Sequence, residues 1–387
     1  MDVAVIGGGI VGTSAAAFLA GAGARVTIYE REAIAAGASG RNSGIVQHPF
    51  DAALVPLYQE TVDIYRSLDD EATPTGFRLD AEPAGLLLVT PSIDVARRLA
   101  VRLGRVHPHL DLVVLDADEV RRLEPAMAPG IAGCRVAVGY PVVPSAPTYA
   151  MATLAERRGA VIRQGRAATP IVEDGRCRGV NVDGRDIPAD AVIVAAGPWT
   201  PEVVDPTGRW RPIRPVWGVV VETLFTSPPR HLIEEAEMDE ALGIDAGDAL
   251  EPIGATAASA DPHVPAGFSL VTAGGVSVVG STFLEREPDP TAWTERLVAH
   301  GARFIPSLAD APIRDVRACA RPTALDGRPL IGEVPGVHGL YVCAGHGPWG
   351  ISTGPASARL VVDLVLGRSV AVPPELSAAR FGSPVGV

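Results

Sequence analysis

Residues 2–12, "DVAVIGGGIVG", decide the fold, because an apolar strand runs directly into closely spaced glycines. Gly7, Gly9 and Gly12 have the spacing G-x-G-x-x-G. In a βαβ unit the first glycine makes a tight turn, the second lets a pyrophosphate approach the backbone, and the third allows close helix packing. The stretch therefore predicts a doubly wound α/β domain that binds a dinucleotide at the N-terminus of its first helix.

The residues that follow complete the same unit. "IVGTSAAAFLAGAGA" (10–24) predicts an alanine-rich helix, and "RVTIYE" (25–30) predicts a second strand that ends at Glu30. A carboxylate at that position accepts hydrogen bonds from ribose hydroxyls and disfavours a 2′-phosphate, so NADP is not expected. Further along, "ADAVIVAAGPWT" (189–200) resembles the second adenosine-side strand of flavoproteins with two dinucleotide-binding domains.

Composition narrows the class of protein. A chain of 387 residues exceeds one core and predicts two domains. The net charge of −12 argues against nucleic acid or an anionic membrane as partner. All 33 basic residues are arginines, which excludes lysine Schiff bases and P-loop lysines. The cysteine and histidine spacings indicate neither a disulfide framework nor a metal site. No apolar run is long enough to span a membrane, and we expect no signal peptide. We expect a cytoplasmic protein.

A second glycine fingerprint lies near the end of the chain, in "GLYVCAGHGPWGIS" (339–352). Gly345, Gly347 and Gly350 have the same spacing behind a strand-like run. No strand with a terminal acid follows, so this motif lacks the second half of a βαβ unit. The second fingerprint therefore does not predict a second dinucleotide site.

Several stretches, in this order, resemble the glycine oxidase/D-amino acid oxidase family of FAD-dependent oxidoreductases: "VIGGGIVGTSAA", "GASGRNSG", "VIVAAGPWT", "PIRPVWG", "CARPTALDGRPLIG" and "GLYVCAGHGPWGIS". The resemblance implies FAD as cofactor and oxidation of the C–N bond of a small amino acid or secondary amine. Hydride would pass to flavin N5, and O2 or another acceptor would reoxidise the flavin. The product would be an imine, which water hydrolyses.

The resemblance also implies a two-domain α/β architecture. A Rossmann-like FAD-binding domain is expected in three segments, 1–76, 139–215 and 312–387. A substrate domain built on a large mixed or antiparallel sheet is expected from 77–138 and 216–311. Within it, the polar stretch 234–266 is interpreted as a lid, with its acidic residues on a solvated face. A homo-oligomer is compatible with this architecture.

FAD contacts are predicted in both fingerprints, in the loop after the second strand and near the adenosine. In the C-terminal turn, backbone N–H groups and a helix N-terminus would face the flavin ring, where negative charge gathers on reduction. The predicted contacts are Gly7, Gly9, Ile10, Val11, Gly12, Glu30, Arg31, Ser39, Arg41, Asn42, Ser43, Gly44, Ile45, Ala168, Ala196, Gly197, Trp199, Gly345, His346, Gly347, Pro348, Trp349, Gly350 and Ile351.

Substrate residues follow from the same resemblance. Arg321 aligns with the arginine that holds the substrate carboxylate, and a guanidinium can donate two parallel hydrogen bonds to such a group. Phe268 stands where the family often has a tyrosine, and Gln47 and His48 are candidates for lining the pocket or tuning amine protonation. Cys319 matches a flavin-attached cysteine of sarcosine-oxidase-like relatives, but the adjacent "ARP" favours noncovalent FAD.

Alternatives remain at this stage. "GRNSGIVQ" (40–47) resembles the flavin loop of L-2-hydroxyglutarate dehydrogenases, which would make the substrate a 2-hydroxy acid. The chain is also compatible with a flavoprotein subunit of a larger amine dehydrogenase, or with a flavin-binding protein without catalytic activity. The absence of lysine leaves oxidase and dehydrogenase equally open.

Overall fold

A six-stranded sheet forms around the first glycine motif in the computed structural model, which describes residues 1–68, 76–236 and 267–384. In order across the sheet, its strands are β18 (Leu330–Glu333), β19 (Leu340–Ala344), β12 (Ala191–Val194), β1 (Asp2–Ile6), β2 (Arg25–Glu30) and β8 (Val161–Gln164). All neighbours are parallel except β18, which runs antiparallel at one edge. This is the doubly wound arrangement that the fingerprint predicts.

The two faces of this sheet are covered differently. Val3 and Val5 of β1 pack on helices, whereas Ala4 and Ile6 face a small antiparallel sheet, because successive strand residues point to opposite faces. The helices are α1 (Ile10–Gly21), α3 (Val55–Ser67), α6 (Ala146–Arg157) and α9 (Gly350–Val365). The small sheet comprises β9 (Ala168–Glu173), β10 (Arg176–Val182) and β11 (Arg185–Pro188).

Small residues let α1 approach its neighbours closely. Ala15, Ala16 and Ala17 are fully buried where α1 packs against α6 and α9. At the crossing with α9, a Cβ on Gly354 would lie 3.1 Å from Cγ2 of Val11, so even one added carbon would be tight. The crossing therefore brings the N-termini of α1 and α9 toward the same region.

An eight-stranded mixed sheet forms the second large layer. Its strands in order are β17 (Ile313–Ala324), β13 (Ile213–Thr223), β16 (Val276–Gly280), β15 (Ser269–Ala273), β14 (Leu232–Glu235), β4 (Leu86–Thr90), β6 (Ala132–Val136) and β5 (Leu112–Leu115). Only β14 and β4 pair in parallel. Helices α4 (Ile93–Val106), α5 (Ala117–Leu123) and α8 (Thr291–Ala302) pack against it. The expected α/β class with a large mixed sheet is confirmed.

Short elements connect these layers. The remaining helices and strands are α2 (Ala38–Arg41), α7 (Thr200–Val204), β3 (Ile45–Val46) and β7 (Tyr140–Pro141). Turns of 3-10 helix occur at Gly197–Trp199, Pro306–Asp310, Gly347–Trp349, Pro374–Leu376 and Ala378–Phe381. Among the described residues, no helix combines the length and apolar character needed to cross a bilayer.

One expected domain boundary differs from the sheet pairing. β17 pairs with the whole of β13 and so belongs to the eight-stranded sheet, whereas a boundary at residue 312 assigns it to the FAD-binding segment. The chain returns to the six-stranded sheet only at β18. The division into two domains stays a prediction. Most of the stretch interpreted as a lid, residues 237–266, lies outside the described residues.

Candidate active site

A cavity of about 780 Å³ is lined by residues of both large sheets. Its lining includes the first glycine turn, the N-terminus of α1, residues of β13 and β17, and the C-terminal glycine turn. Its lining includes residues from nearly every segment in which cofactor contacts are predicted.

The glycines of the first turn have separate structural roles. Gly7 has φ +113°, and a Cβ there would overlap the carbonyl oxygen of Ala195. A Cβ on Gly12 would overlap the carbonyl oxygen of Gly7, so Gly12 serves the packing of α1 and does not line the cavity. Gly9 is the N-cap of α1 and does line it. A helix N-terminus at the cavity wall suits a pyrophosphate.

Glu30 and Ser39 hold this turn in place. The Glu30 carboxylate accepts hydrogen bonds from the N–H groups of Gly8 (2.6 Å) and Glu32 (2.8 Å). The Ser39 hydroxyl accepts one from the N–H of Ile10 (3.0 Å), although the two residues are 29 positions apart. Both side chains also line the cavity.

The loop after β2 is fixed from within and from the larger sheet. Asn42 donates to the carbonyls of Ala38 and Ser39 and accepts from the N–H of Gly44. Arg317 of β17 donates to the carbonyl oxygens of Arg41 (3.1 Å) and Asn42 (3.0 Å). Arg317 was missed in the sequence, because only the pairing of β17 brings it to this loop.

The loop and the adenosine side supply most of the remaining predicted contacts. Gly44, whose φ is +85° and whose added Cβ would overlap the carbonyl oxygen of Val142, does not line the cavity. On the adenosine side, the Arg31 guanidinium carbon lies 3.8 Å from the Trp199 ring centroid. Predicted residues of these segments that line the cavity are Ile10, Val11, Arg31, Arg41, Asn42, Ser43, Ile45, Ala168, Ala196, Gly197 and Trp199.

The C-terminal turn also lines the cavity. Residues 346–351 all line it, and α9 begins there at Gly350. The Tyr65 hydroxyl donates to the carbonyl oxygen of Ile351 (2.7 Å) and so fixes the start of the helix. Gly345 does not line the cavity; its φ is +87° and it packs against Ala324.

His346 presents a neutral ring to this region. It is 2% exposed, and its Nε2 has no hydrogen-bond partner among the described residues. Burial lowers the pKa of His346 to about 4, so the imidazole stays uncharged at neutral pH. An orphaned buried nitrogen at a cavity wall fits a ligand that completes its hydrogen bonding. With the glycine turn and two helix N-termini, the cavity fits the expected FAD.

Arg321 lies at the wall formed by β17. It donates to the carbonyl oxygen of Thr282 (2.9 Å) and to the Ser281 hydroxyl, and its guanidinium carbon lies 4.5 Å from the Phe283 ring centroid. Burial lowers its pKa from the ordinary arginine value. No carboxylate pairs with it among the described residues, and further N–H groups remain for an anion.

Glu234 is a cavity residue that the sequence did not reveal. It was expected on the solvated face of a lid, but it lies in β14, is 7% exposed and lines the cavity. The Gln47 amide donates to it (3.1 Å), and the backbone N–H of Gln47 donates to the Ser352 hydroxyl (2.9 Å). Gln47 therefore lines the cavity and orients a buried acid. Acid-rich sequence alone gave no signal for that burial.

His48 does not line the cavity. Its ring packs against His107 and His109, and its Nδ1 accepts a hydrogen bond from the N–H of Phe50 (3.1 Å), which places the proton of the neutral ring on Nε2. Burial and the neighbouring histidines lower the pKa of His48 to about 3. This position does not fit a role in setting the protonation of the substrate amine, because Gln47, and not His48, points into the cavity.

Phe268 also lies away from the cavity. Its ring stacks on Phe304, with centroids 5.0 Å apart, in the core on the other face of the eight-stranded sheet. The next residue, Ser269, lines the cavity instead. Neighbouring strand residues point to opposite faces, so the expected substrate contact is displaced by one position.

Cys319 lines the cavity between Arg317 and Arg321 on β17. Burial raises the pKa of its thiol despite three nearby arginines, so the sulfur stays protonated at neutral pH. A protonated thiol is a poor nucleophile, which agrees with noncovalent FAD.

Comparisons with known proteins agree with this geometry. The chain is 27% identical to a glycine oxidase of Pseudomonas aeruginosa, over 96% of each chain. It is 29% identical to a D-amino acid dehydrogenase of Cereibacter sphaeroides, over 81% of this chain and 67% of the relative. An iminodiacetate oxidase from Chelativorans sp. BNC1 has the same fold, with a TM-score of 0.80 at 24% identity over 97% of this chain and 98% of that one.

The family model described as FAD dependent oxidoreductase (DAO) matches residues 2–364, nearly the whole chain. Its span includes both glycine turns, the loop after β2 and the arginines of β17. This protein therefore belongs to the DAO family of FAD-dependent oxidoreductases, with FAD as its cofactor.

Proposed function

We propose that this enzyme oxidises the C–N bond of a small amino acid or carboxylate-bearing secondary amine to an imine. One observation carries the proposal: Arg321 is a partly buried cation at the cavity wall, and no carboxylate pairs with it among the described residues. Burying a charge without an opposite charge is costly, so such a site favours an anionic substrate group. The names of the relatives, glycine oxidase and D-amino acid dehydrogenase, support an amino acid as that substrate.

The residues of the chain bind and orient the substrate. Arg321 donates N–H groups to the carboxylate, while Ser281 and Thr282 hold the guanidinium in a fixed direction. Trp217, Val220 and Phe283 give the cavity an apolar wall on the same side. Fixing the substrate at its carboxylate limits the positions of the α-carbon, and orientation of this kind is a large part of catalysis.

FAD, when bound, accepts the hydride from the α-carbon. The backbone N–H groups around Gly347 and the N-terminus of α9 provide a positive partial charge at the cavity wall. His346 stays neutral there, because burial lowers its pKa to about 4. The amine nitrogen supplies the electron pair that forms the C=N bond. Water then hydrolyses the imine, and we assign no residue of the chain to that step.

The test is anaerobic reduction of the purified holoenzyme. Glycine, sarcosine, D- and L-amino acids and 2-hydroxy acids are added separately while the flavin absorbance is followed. We expect bleaching by amino acids or secondary amines that carry a carboxylate. Bleaching by 2-hydroxy acids alone would overturn the proposal, and admission of air afterwards separates an oxidase from a dehydrogenase.

A further inference from the structure

We infer that His48, His107 and His109 form a binding site for a divalent transition metal ion of the kind that prefers imidazole nitrogen, such as Zn²⁺. One ring nitrogen from each of the three residues lies within 4.8 Å of the other two. Three histidines are a sufficient set of protein ligands for zinc when water takes the fourth position. The inference goes beyond the proposed function and does not depend on it, because His48 does not line the cavity.

Two separate segments of the chain supply the three rings. His48 follows the short strand β3, whereas His107 comes directly after α4 and His109 lies in the turn that follows. The N–H of Leu110 donates to the carbonyl oxygen of His107 (3.0 Å), which closes this turn with Pro108 at its second position. The turn therefore carries two of the histidines. The spacing of histidines along the chain did not indicate the site, because the third histidine comes from a distant segment.

Phe50 holds both buried rings through its backbone. Its N–H donates to Nδ1 of His48 (3.1 Å), and its carbonyl oxygen accepts from Nε2 of His107 (2.9 Å). A backbone carbonyl on the second ring nitrogen is a common way to orient a metal-binding histidine. Phe50 has φ +51°, a left-handed conformation that bulky residues rarely adopt, and strained backbone of this kind concentrates at functional sites.

Each of the two buried rings has a nitrogen to offer. His48 is 2% exposed, and its Nε2 is buried without a hydrogen-bond partner among the described residues. His107 donates through Nε2 and so keeps a lone pair on Nδ1. Coordination through Nε2 of His48 moves the proton of that ring to Nδ1, so the bond from the Phe50 N–H is exchanged for a bond to the metal. His109 is exposed, so water can supply a further ligand at its side of the site.

The separations suit one ion after small side-chain movements. Zinc binds imidazole nitrogen at roughly 2.0–2.1 Å, so two nitrogens of one tetrahedral site are about 3.4 Å apart. From a separation of 4.8 Å, two nitrogens would have to approach by about 1.4 Å. The ring centroids lie 5.0 Å apart for His48 and His107, 5.8 Å for His48 and His109, and 5.9 Å for His107 and His109. Rotation of the exposed His109 ring toward the two buried rings supplies part of the approach.

The test measures Zn²⁺ binding to untagged holoenzyme from which a chelator has removed bound metal. Isothermal titration calorimetry gives the stoichiometry and the dissociation constant, and Co²⁺ reports nitrogen coordination by absorption at wavelengths beyond the flavin bands. His109→Ala is the variant, because this exposed ring can be removed without opening the core. His338→Ala is the matched control, since His338 is also exposed and contacts Glu333 outside the cluster.

We expect the wild type to bind one Zn²⁺ per chain and His109→Ala to bind it at least about tenfold more weakly, because loss even of a residue that only supports a metal ligand costs about 10- to 100-fold. Zn²⁺ should raise the unfolding temperature of the wild type and of His338→Ala, and raise that of His109→Ala less, since a ligand of the folded state stabilises it. Absence of Zn²⁺ binding by the wild type would overturn the inference. Equal affinity in the wild type and His109→Ala, or an equal loss in His338→Ala, would overturn it as well.

Discussion

The Arg321 guanidinium lies directly over Gly218: a Cβ on Gly218 would be within 2.5 Å of the guanidinium carbon. The two residues are on paired strands, β17 and β13. Phe283 contacts the same group, with its ring centroid 4.5 Å from the guanidinium carbon. Glycine at 218 therefore sets the position of the charge that we assign to the substrate carboxylate, although Gly218 itself bears no functional group.

Gly218→Ala should displace Arg321 and raise the KM for carboxylate substrates. Misplacement of a binding group by about 1 Å can cost on the order of 100-fold in rate, so an effect of at least tenfold on kcat/KM is expected. Steady-state kinetics on the best substrate of the anaerobic screen measures it. FAD content and the flavin spectrum should remain those of the wild type, and an unchanged kcat/KM would show that the guanidinium tolerates the methyl group.

Arg321→Lys should retain the positive charge but lose the paired N–H donors. An ammonium cannot reproduce a planar two-bond contact, and a lysine in this buried place would lose its proton more readily than arginine. We expect KM to rise strongly in Arg321→Lys and further in Arg321→Ala. The measurement is the concentration dependence of flavin reduction. Equal KM values for lysine, alanine and wild type would remove Arg321 from the substrate site.

Acid precipitation should release the flavin from the wild-type enzyme. The Cys319 thiol stays protonated because burial raises its pKa, so it is not expected to bond to the flavin. A yellow supernatant is the expected result, and Cys319→Ala should give the same supernatant. Colour that stays with the wild-type pellet and leaves the pellet in Cys319→Ala would contradict the prediction.

Stability should decrease as the pH falls from about 6.5 toward 4. The pKa of His48 is lowered to about 3 and that of His346 to about 4, whereas the unfolded chain binds these protons near 6.5. Between these values the unfolded state holds more protons, so the free energy of unfolding rises with pH in this window. His48→Asn, which keeps an acceptor near the N–H of Phe50, should flatten part of the slope.

Urea denaturation at several pH values measures this slope. Above pH 4 the slope reports mainly the protonation of the histidines. The hydrogen bonds of Asp205 lower its pKa to about 2, so its protonation affects stability at lower pH. A slope that is the same in His48→Asn and wild type would assign the effect elsewhere.

The part of the cavity around the two glycine turns could be predicted from local sequence. The turn at Gly7, the cap at Gly9 and the acid at Glu30 lie within one continuous unit, and their spacing is a direct consequence of βαβ geometry. The C-terminal turn is similar, because a strand, glycines and a helix again follow one another. These features need no knowledge of distant pairing.

The substrate end depends on strand pairing, which local sequence does not give. Glu234 is buried because β14 pairs with β15 on one side and β4 on the other, and β4 is more than 140 residues earlier in the chain. Two predicted contacts, His48 and Phe268, are each one residue away from a cavity residue, Gln47 and Ser269. In extended chain, an error of one position moves a side chain to the opposite face.

Strand β17 joins tasks that could have been placed on separate elements. Arg317 holds the loop after β2, Arg321 faces the substrate side, and Thr323 forms a bridge with His346 of the C-terminal turn. Each residue of an extended strand adds about 3.3 Å, so the number of residues between these three positions sets the distances between them. An extra residue inserted between Arg317 and Arg321 would move one of the two arginines to the opposite face of the sheet. We therefore expect this segment to tolerate substitutions more readily than insertions or deletions.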